Sequence, residues 1–166
     1  MEIIRATIDR MDEILEIYAG ARRFMRATGN LEQWSGNYPS REVVQEDIEK
    51  EQLYLCVEDG EALGVFCYFE GVDPTYVEIY EGAWMNDLPY GVMHRVAVAK
   101  QGRGVVGFCF SHCFEKCKNL KIDTHKDNLP MQRALEKNGF VRCGIIYLES
   151  GDPRIAYQRC EEGSAR

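Results

Sequence analysis

VAVAKQGRGVVGFCF, residues 96–110, is the stretch on which the fold assignment depends. It predicts the end of a buried strand, then a loop with glycines at Gly102, Gly104 and Gly107, then the start of a helix. Glycine lets a backbone wrap closely around an anion, and the first N–H groups of a helix lack partners within it. We therefore expect residues 101–107 either to bind a pyrophosphate or to form a tight turn without a ligand.

The loop taken alone fits two classes of pyrophosphate-binding protein. Its glycine spacing matches the GxGxxG fingerprint of dinucleotide-binding folds and also a looser pattern found in acyl-CoA enzymes. Asp123 lies about 20 residues later, near the position where a dinucleotide fold places an acidic residue. That fold requires a parallel sheet of repeated βαβ units, whereas strands with hairpin chemistry precede this loop and a single complete crossover follows it. The sequence therefore disfavours a nicotinamide cofactor.

The residues before the loop predict two helices and an antiparallel group of strands. Asp9 is the expected N-cap of the first helix, and Ser40 is the expected N-cap of the second. Asp59-Gly60 between two apolar runs predicts a hairpin. The segment TYVEIY, residues 75–80, is expected to form a further strand before the strand at residues 92–98.

The residues after the loop alternate between helix and strand. Residues 105–118 predict a helix that makes a right-handed crossover, so the strand at residues 120–124 should lie parallel to the strand at 92–98. A helix at residues 130–139 and two final strands follow. We therefore expect a mixed α/β fold that forms a single domain over residues 1–166.

Composition limits the classes of partner. The net charge of −7 argues against nucleic-acid binding, because release of counterions from phosphates requires a basic surface. Acidity favours a cationic substrate, or it only keeps the protein soluble. No apolar run approaches the roughly 20 residues that span a bilayer, and the N-terminus has no signal-peptide pattern. We expect a cytoplasmic protein with no membrane partner.

The chain has seven cysteines, an odd number, in mostly apolar surroundings. Cys109, Cys113 and Cys117 recur every four residues along one face of a predicted helix, close to His112. This spacing differs from that of structural zinc sites. We expect reduced thiols packed in the core, and no metal.

The order of elements and two stretches of sequence resemble the GNAT superfamily of acyl-CoA-dependent N-acetyltransferases. The resemblance covers nearly the whole chain and is most specific in VAVAKQGRGVVG, residues 96–107, and in IDTHKDNLPMQRALEKNGF, residues 122–140. The second stretch is similar to a bacterial subgroup of small members with DTH, DN and MQ at this place. The resemblance implies a GNAT-like fold with a splayed central sheet, and acetyl-CoA entering as cosubstrate at the carboxyl ends of the two splayed strands.

The same resemblance implies which residues hold acetyl-CoA. Backbone groups of the strand would pair with the pantetheine arm, and the loop would wrap the pyrophosphate. The implied residues are Val96, Ala97, Val98, Gln101, Gly102, Arg103, Gly104, Val105, Val106, Gly107 and Asn128. The sequence departs from the family at Val106, where the motif ends in Gly or Ala, and at Leu135, where a tyrosine acid is frequent.

Acetyl transfer needs a neutral amine, and deprotonating a lysine-like amine at pH 7 costs about 4.6 kcal/mol. His94 is the first candidate for the base or for the group that orders a water chain, because histidine is mostly neutral at that pH. A hydrogen-bonded core histidine is the alternative. His125, Asp123 and Glu78 are the further catalytic candidates.

Four residues are candidates for contact with the acceptor substrate. Trp34, Tyr38 and Trp84 would give the pocket aromatic walls, or would only cover one end of the core. Arg95 is expected to pair with Asp123, in preference to binding a substrate carboxylate. We expect an enzyme that acetylates a small-molecule amine by direct attack in a ternary complex. A non-catalytic acyl-CoA-binding or sensing module is the alternative, and a homodimer is left open.

Overall fold

A computed structural model describes residues 1–165 and contains one seven-stranded mixed sheet in the order β1-β2-β3-β4-β5-β7-β6. The strands are β1 (Glu2–Arg5), β2 (Leu53–Glu58), β3 (Glu61–Glu70), β4 (Gly91–Val98), β5 (Asn119–Thr124), β6 (Val141–Tyr147) and β7 (Pro153–Cys160). The α-helices are α1 (Met11–Ala27), α2 (Arg41–Glu49), α3 (Val105–Cys117) and α4 (Leu129–Lys137). The expected α/β class with a mixed sheet is confirmed.

The centre of the sheet is splayed between β4 and β5. These two strands are parallel, as the crossover through α3 requires, but they pair only at Gly91 with Leu120 and at Val92 with Lys121. The other neighbouring strands are antiparallel and pair over four residues or more. The edge of β4 beyond Val92 therefore has no β5 partner, and a cleft opens at the carboxyl ends of the two strands.

The helices cover the two faces of the sheet and bury separate apolar clusters. Ile14 and Tyr18 of α1 pack on one face with Leu55 of β2. Phe110 of α3 and Leu135 of α4 pack on the opposite face. Helices thus pack against both faces of the sheet that carries the cleft.

The cysteines of α3 lie as expected against the sheet. Cys109 and Cys113 are buried in the same cluster as Phe110, and Cys117 is partly buried beside it. Within residues 1–165, no group of three or more His, Cys, Asp or Glu side chains is arranged to hold a metal ion. None of the helices described over that range is long and apolar enough to cross a bilayer.

Two local predictions are wrong and two are confirmed. Residues 75–80 do not form a strand: a 3₁₀ turn spans Pro74–Tyr76, and a single bridge joins Tyr80 to Ile145. Asp73 stabilises that turn by accepting a hydrogen bond from the Thr75 N–H at 2.9 Å, which overrides the strand propensity of the segment.

Asp9 is not the N-cap of α1. A 3₁₀ turn at Ile8–Arg10 precedes the helix, and Asp9 accepts a hydrogen bond from the Thr7 hydroxyl instead. Ser40 does cap α2, accepting from the Val43 N–H at 3.3 Å. The hairpin at Asp59-Gly60 forms with positive φ at both residues, which is the conformation that a two-residue turn of this type requires.

Candidate active site

A cavity of about 600 Å³, which we call the central cavity, occupies the cleft between β4 and β5. This volume lies within the usual range for small-molecule sites. His94, Arg95 and Val96 line it from β4, and Asp123 lines it from β5. The other residues that concern its chemistry are Glu32, Trp34, Tyr38, Asp73, Asn128, Glu149, Asp152 and Arg154. The splay of the sheet therefore brings these residues from six separate parts of the chain to one space.

His94 and Asp73 form a hydrogen-bonded pair in this cavity. Nε2 of His94 lies 2.7 Å from Oδ2 of Asp73. The other carboxylate oxygen accepts from the backbone N–H of Thr75 at 2.9 Å and from its hydroxyl at 2.7 Å. Burial raises the pKa of Asp73, but the hydrogen bonds from His94 and Thr75 outweigh burial and leave that pKa below its ordinary value. An ionised Asp73 can only accept a hydrogen bond, so the proton lies on Nε2 of His94 and Nδ1 is the nitrogen with a free lone pair.

Asp123 has a different partner, Tyr76, which is the last residue of the 3₁₀ turn that contains Thr75. The Tyr76 hydroxyl donates to Oδ2 of Asp123 at 2.6 Å, and the tyrosine is only 1% exposed. Burial raises the pKa of Tyr76 well above its ordinary value, and the charge of Asp123 raises it further. Tyr76 thus stays protonated, and its hydroxyl is committed to holding Asp123.

Arg95 lies on a β-bulge and binds Asp47, so the expected pairing with Asp123 does not form. Two residues of β4, Arg95 and Val96, oppose one residue of β3, and Arg95 has a φ of +50°. Its Nε and Nη2 each donate to Asp47 at 2.7 Å. Burial lowers the pKa of Arg95, but the bonds to Asp47 outweigh it and raise the pKa above its ordinary value. The arginine charge is neutralised within the protein.

Two of the three predicted aromatic residues line the central cavity. Trp34 is 9% exposed and meets Tyr18 and Tyr38 edge to face, with ring centroids 5.6 and 6.3 Å apart. The loop that carries Trp34 and Tyr38 is attached to the start of α4, because the Asn128 amide donates a hydrogen bond to Oε1 of Gln33 at 2.8 Å. This contact fixes the aromatic wall to the same helix that borders the β4 edge.

A second, narrower cavity, which we call the β4 groove, continues from the central cavity along the unpaired edge of β4. Its lining includes six of the residues expected to hold acetyl-CoA, together with side chains of α1 and α4. The six are Val96, Ala97, Val98, Gln101, Val106 and Asn128. The bare strand edge offers backbone groups that a bound extended chain can use in place of a β5 partner.

The loop at the end of the β4 groove leaves an open space against the first turn of α3. Gly102 and Gly104 have φ values of +78° and +71°, and a Cβ added at either would meet no atom within 4 Å. Gly104 is the N-cap of α3, so the free N–H groups of the first turn follow directly. An anion could therefore approach the backbone at Gly102 and Gly104, which together we call the cradle, without meeting a side chain, and a pyrophosphate site requires such an approach.

Three other residues of the predicted loop are placed differently. Gly107 permits close packing of α3 on α4, because a Cβ there would lie 3.0 Å from Oδ1 of Asn138. The Val105 side chain is buried in the core. Arg103 is half exposed, and its guanidinium lies 3.7 Å from a Glu58 oxygen. Gly107 and Val105 can offer a ligand only their backbone groups.

Glu78 and Trp84 lie outside the central cavity because the segment that carries them is not a strand of the sheet. Glu78 is exposed and accepts a hydrogen bond from the Tyr80 hydroxyl at 2.7 Å. The Trp84 indole donates to the Tyr76 carbonyl at 2.8 Å, and its ring lies over the Lys121 ammonium. Neither side chain is placed with His94.

His125 is buried beside the central cavity but lines a neighbouring one of about 430 Å³, which we call the side cavity. Its Nδ1 accepts from the Asp127 N–H at 3.0 Å. Burial lowers the pKa of His125, and the nearby charge of Arg154 lowers it further. His125 therefore fixes the turn before α4, in which Asn128 is the N-cap and accepts from the Met131 N–H at 3.2 Å.

The sequence interpretation missed Asp73, Tyr76 and Arg154. Asp73 precedes Pro74 and so carried the signal of a turn cap, which does not identify a partner for a histidine. Tyr76 lies in the segment that was expected to be a strand, and Arg154 opens an apolar strand without any motif. None of these three has a local sequence pattern that would have revealed its place in the cavity.

Comparison with solved structures gives close matches over nearly the whole chain. An acetyltransferase of the GNAT family from Streptococcus agalactiae is 32% identical, with a TM-score of 0.89, and the match covers 97% of this chain and 95% of that one. A GNAT-family acetyltransferase from Bacillus cereus is 21% identical, with a TM-score of 0.63 over 97% and 98% of the two chains.

The fold is also shared with AAC(6')-Ib in its complex with ribostamycin and coenzyme A. That protein is 20% identical, with a TM-score of 0.65 over 96% of this chain and 93% of the other. No protein-family model and no curated protein sequence matches this chain. The match to the Streptococcus protein is close enough in sequence and complete enough in length to assign a family.

Proposed function

The chain belongs to the GNAT family of acetyltransferases, and on that premise we propose that it transfers an acetyl group from acetyl-CoA to the amine of a small molecule. The observation that carries the proposal is the continuity of two spaces along β4. The β4 groove and the central cavity share Val96 and Asn128, and His94 stands on the same strand two residues before Val96. A cosubstrate lying in the groove would thus end beside the base.

The residues of the β4 groove suit a long, flexible ligand with a diphosphate. The unpaired edge of β4 would bind the pantetheine arm, and the cradle of Gly102 and Gly104 at the start of α3 would bind the pyrophosphate. Bound acetyl-CoA supplies an activated thioester. AAC(6')-Ib, which shares the fold, has been observed with coenzyme A, and this supports the choice of ligand.

His94 is the proposed catalytic base. The hydrogen bond to Asp73 keeps the proton of the neutral imidazole on Nε2 of His94. Nδ1 is then available to accept a proton from the attacking amine, directly or through one water. Asp73 also provides a negative charge beside the imidazolium that forms. Asp73 is therefore a positioning residue, and His94 is the group that would contact the substrate.

The leaving group needs little help from the protein. A thiol resembling that of cysteine has a pKa of about 8.5, so its thiolate departs without a strong acid. Leu135, at the position where the family often has a tyrosine, is fully buried in the core. Tyr76 is bound to Asp123, so it is not a replacement for that acid.

Leu135 is also the observation that favours a second candidate, a non-catalytic module that binds acyl-CoA for sensing or assembly. The two candidates differ in turnover. A panel of amines, polyamines, amino acids and peptides should be tested for CoA release with acetyl-CoA present. Release with at least one acceptor, lost in His94→Ala, supports the enzyme, whereas CoA binding without any release supports the module.

Isothermal titration with CoA tests the premise that both candidates share. We expect binding at micromolar to low millimolar concentrations. The absence of binding at millimolar CoA, or thermal stabilisation by NAD in its place, would contradict both. Because titration measures binding alone, it separates a fault in the ligand assignment from a fault in the chemistry.

A further inference from the structure

Arg154 is a buried arginine with no acidic partner. It is the second residue of β7 and is 7% exposed. Within residues 1–165, the one hydrogen bond of its side chain runs from Nη1 to the carbonyl of the preceding residue, Pro153, at 2.9 Å. No carboxylate of residues 1–165 lies within ion-pair distance of it. A guanidinium has five N–H donors, so most of its capacity is unused by the protein.

The unused donors of Arg154 face ligand space. The residue lines both the central cavity and the side cavity, so its side chain stands at their boundary. Within residues 1–165, the buried side-chain atoms that lack a hydrogen-bond partner are Asn30 Oδ1, Tyr68 OH and Thr124 Oγ1, so none of them belongs to Arg154. Its remaining N–H groups therefore reach the cavities instead of being sealed within the protein.

Arg95 provides a comparison, because it is a partly buried arginine whose charge is already paired within the protein. Arg95 lines the same cavity, and Asp47 neutralises it through two bonds of 2.7 Å. An unpaired buried charge is costly, and removal of water from Arg154 by a substrate would raise that cost unless the substrate brought an anion. Of the two arginines, Arg154 is the one left free to bind it.

We propose that Arg154 binds a carboxylate of the acceptor, so that the acceptor is an amino acid or a related amine that carries a carboxylate. The inference rests on the proposed function, which requires an amine on the acceptor. The carboxylate of the acceptor is inferred from the unpaired guanidinium of Arg154. Arginine binds a carboxylate through two parallel N–H···O bonds, which also orients the rest of the molecule. The amine would then lie toward His94, on the opposite side of the central cavity from β7.

The charges of the cavity favour a zwitterion over a simple polyamine or a phosphorylated amine. The central cavity is lined by Glu32, Asp73, Asp123, Glu149 and Asp152, and by Arg95 and Arg154. This excess of acids attracts an ammonium group and opposes a dianionic phosphate. A polyamine would leave the Arg154 donors unsatisfied. One cationic amine with one monoanionic carboxylate satisfies both ends.

The side cavity provides room for a substituent beyond the carboxylate. Ile145, Pro153 and Ile155 give part of its wall an apolar character, next to Arg154. A side chain of the acceptor could enter this space while the carboxylate stays on the guanidinium. Amino acids with larger side chains therefore belong in the test panel.

The test uses matched pairs of acceptors that share an amine and differ in the carboxylate. Each amino acid is compared with its amide and with the amine that lacks the carboxyl group, in the presence of CoA for calorimetry and of acetyl-CoA for turnover. The unaltered protein should prefer the amino acid by about 10- to 100-fold, in affinity and in kcat/KM. Equal values for the members of every pair would overturn the inference.

Variants assign the preference to Arg154. Arg154→Gln should reduce it to about twofold, chiefly through weaker binding of the amino acid, and Arg154→Lys should restore part of it. Arg133→Gln removes a charge from an exposed position of α4 and should keep the preference. Retention of the preference in a folded Arg154→Gln protein would contradict the assignment, and if that variant does not fold, Arg154→Lys and the matched pairs still decide.

The two readouts separate this inference from the proposed function. Preferential binding of amino acids without turnover would support the carboxylate site and oppose acetyl transfer. Equal turnover of amines with and without a carboxylate would support acetyl transfer and oppose the carboxylate site. A panel in which no amino acid binds and none is acetylated would overturn the carboxylate site.

Discussion

The carboxylate of Asp73 lies 2.7 Å from Nε2 of His94, although 21 residues separate them in the chain. The connection from β3 to β4 brings them together, since Asp73 caps a turn after β3 and His94 lies within β4. The same turn holds Tyr76 against Asp123 at 2.6 Å. This short segment thus positions both His94 and Asp123, which face each other across the gap between β4 and β5.

The first prediction concerns the charge of Asp73. Asp73→Asn keeps a side chain of the same shape but removes the negative charge beside the imidazolium. We expect kcat to fall about 10- to 100-fold and KM for acetyl-CoA to change less than twofold, because Asp73 does not line the β4 groove. Steady-state kinetics with a fixed acceptor measure both values.

The pH profile distinguishes positioning from general structural damage. Loss of activity on acidification in the unaltered protein should move to lower pH in Asp73→Asn, since the imidazolium loses a stabilising charge. Asp12→Asn changes an exposed carboxylate on α1 and should leave the profile unchanged. Turnover that stays level from pH 6 to 9 in the unaltered protein would show that His94 is not the base.

The second prediction follows from the lowered pKa of Asp73. The pKa in the folded protein is below the ordinary unfolded value of about 3.9, so this group stabilises the fold above that value and loses its contribution as pH falls through the folded value. The difference in free energy of unfolding between the unaltered protein and Asp73→Asn should therefore narrow below pH 4. Urea denaturation at pH 7, 5, 4 and 3 measures it. A gap that widens on acidification would show that the pKa is raised instead.

Much of the fold could be predicted because its signals are local. The glycine loop before α3, the hairpin at Asp59-Gly60 and the Ser40 cap each depend on backbone conformations that a few residues determine. The crossover rule then required β5 to lie parallel to β4. The prediction of a strand at residues 75–80 was wrong because two local signals conflicted. The β-branched and aromatic residues of this segment favour a strand, and they outweighed the turn signal of Asp73 and Pro74 in the prediction.

The partners within the cavity could not be predicted, because they depend on distances across the fold. Arg95 is 48 residues from Asp47, and no periodicity distinguishes that partner from Asp123. Arg154 indicates a ligand because no acidic side chain pairs with it in the fold. The amino-acid sequence alone does not show which side chains lie near a residue in space. Backbone groups, such as those at Gly102 and Gly104, were more predictable because glycine itself reports the backbone conformation.

The third prediction concerns Lys121, which is buried between two aromatic rings. Its ammonium lies 4.1 Å from the Trp84 ring centroid and 3.9 Å from that of Tyr90. Burial lowers the pKa of Lys121 to about 8. The unfolded chain, with an ordinary lysine pKa of about 10.4, binds more protons between those values, so stability rises with pH across that interval.

Lys121→Met removes this titration. Relative to the variant, the unaltered protein should gain about 2 kcal/mol in free energy of unfolding between pH 7 and 10, as measured by denaturant unfolding. Lys118→Met, at a more exposed lysine on the C-cap of α3, should show no such gain. Parallel curves for Lys121→Met and the unaltered protein would mean that the aromatic rings keep the ammonium charged at its ordinary pKa.

The fourth prediction tests the cradle at the start of α3 with two glycines of similar backbone conformation. Gly104 has a φ of +71° and Gly29, after α1, has a φ of +91°, and a Cβ at either position meets no protein atom within 4 Å. Substitution by alanine should therefore cause a similar loss of thermal stability in both, from backbone strain of about 1 kcal/mol. Only Gly104→Ala places a methyl group in the proposed pyrophosphate space, so it alone should weaken CoA binding, by about 10-fold in titration calorimetry. Equal affinities for the two variants would place the diphosphate elsewhere.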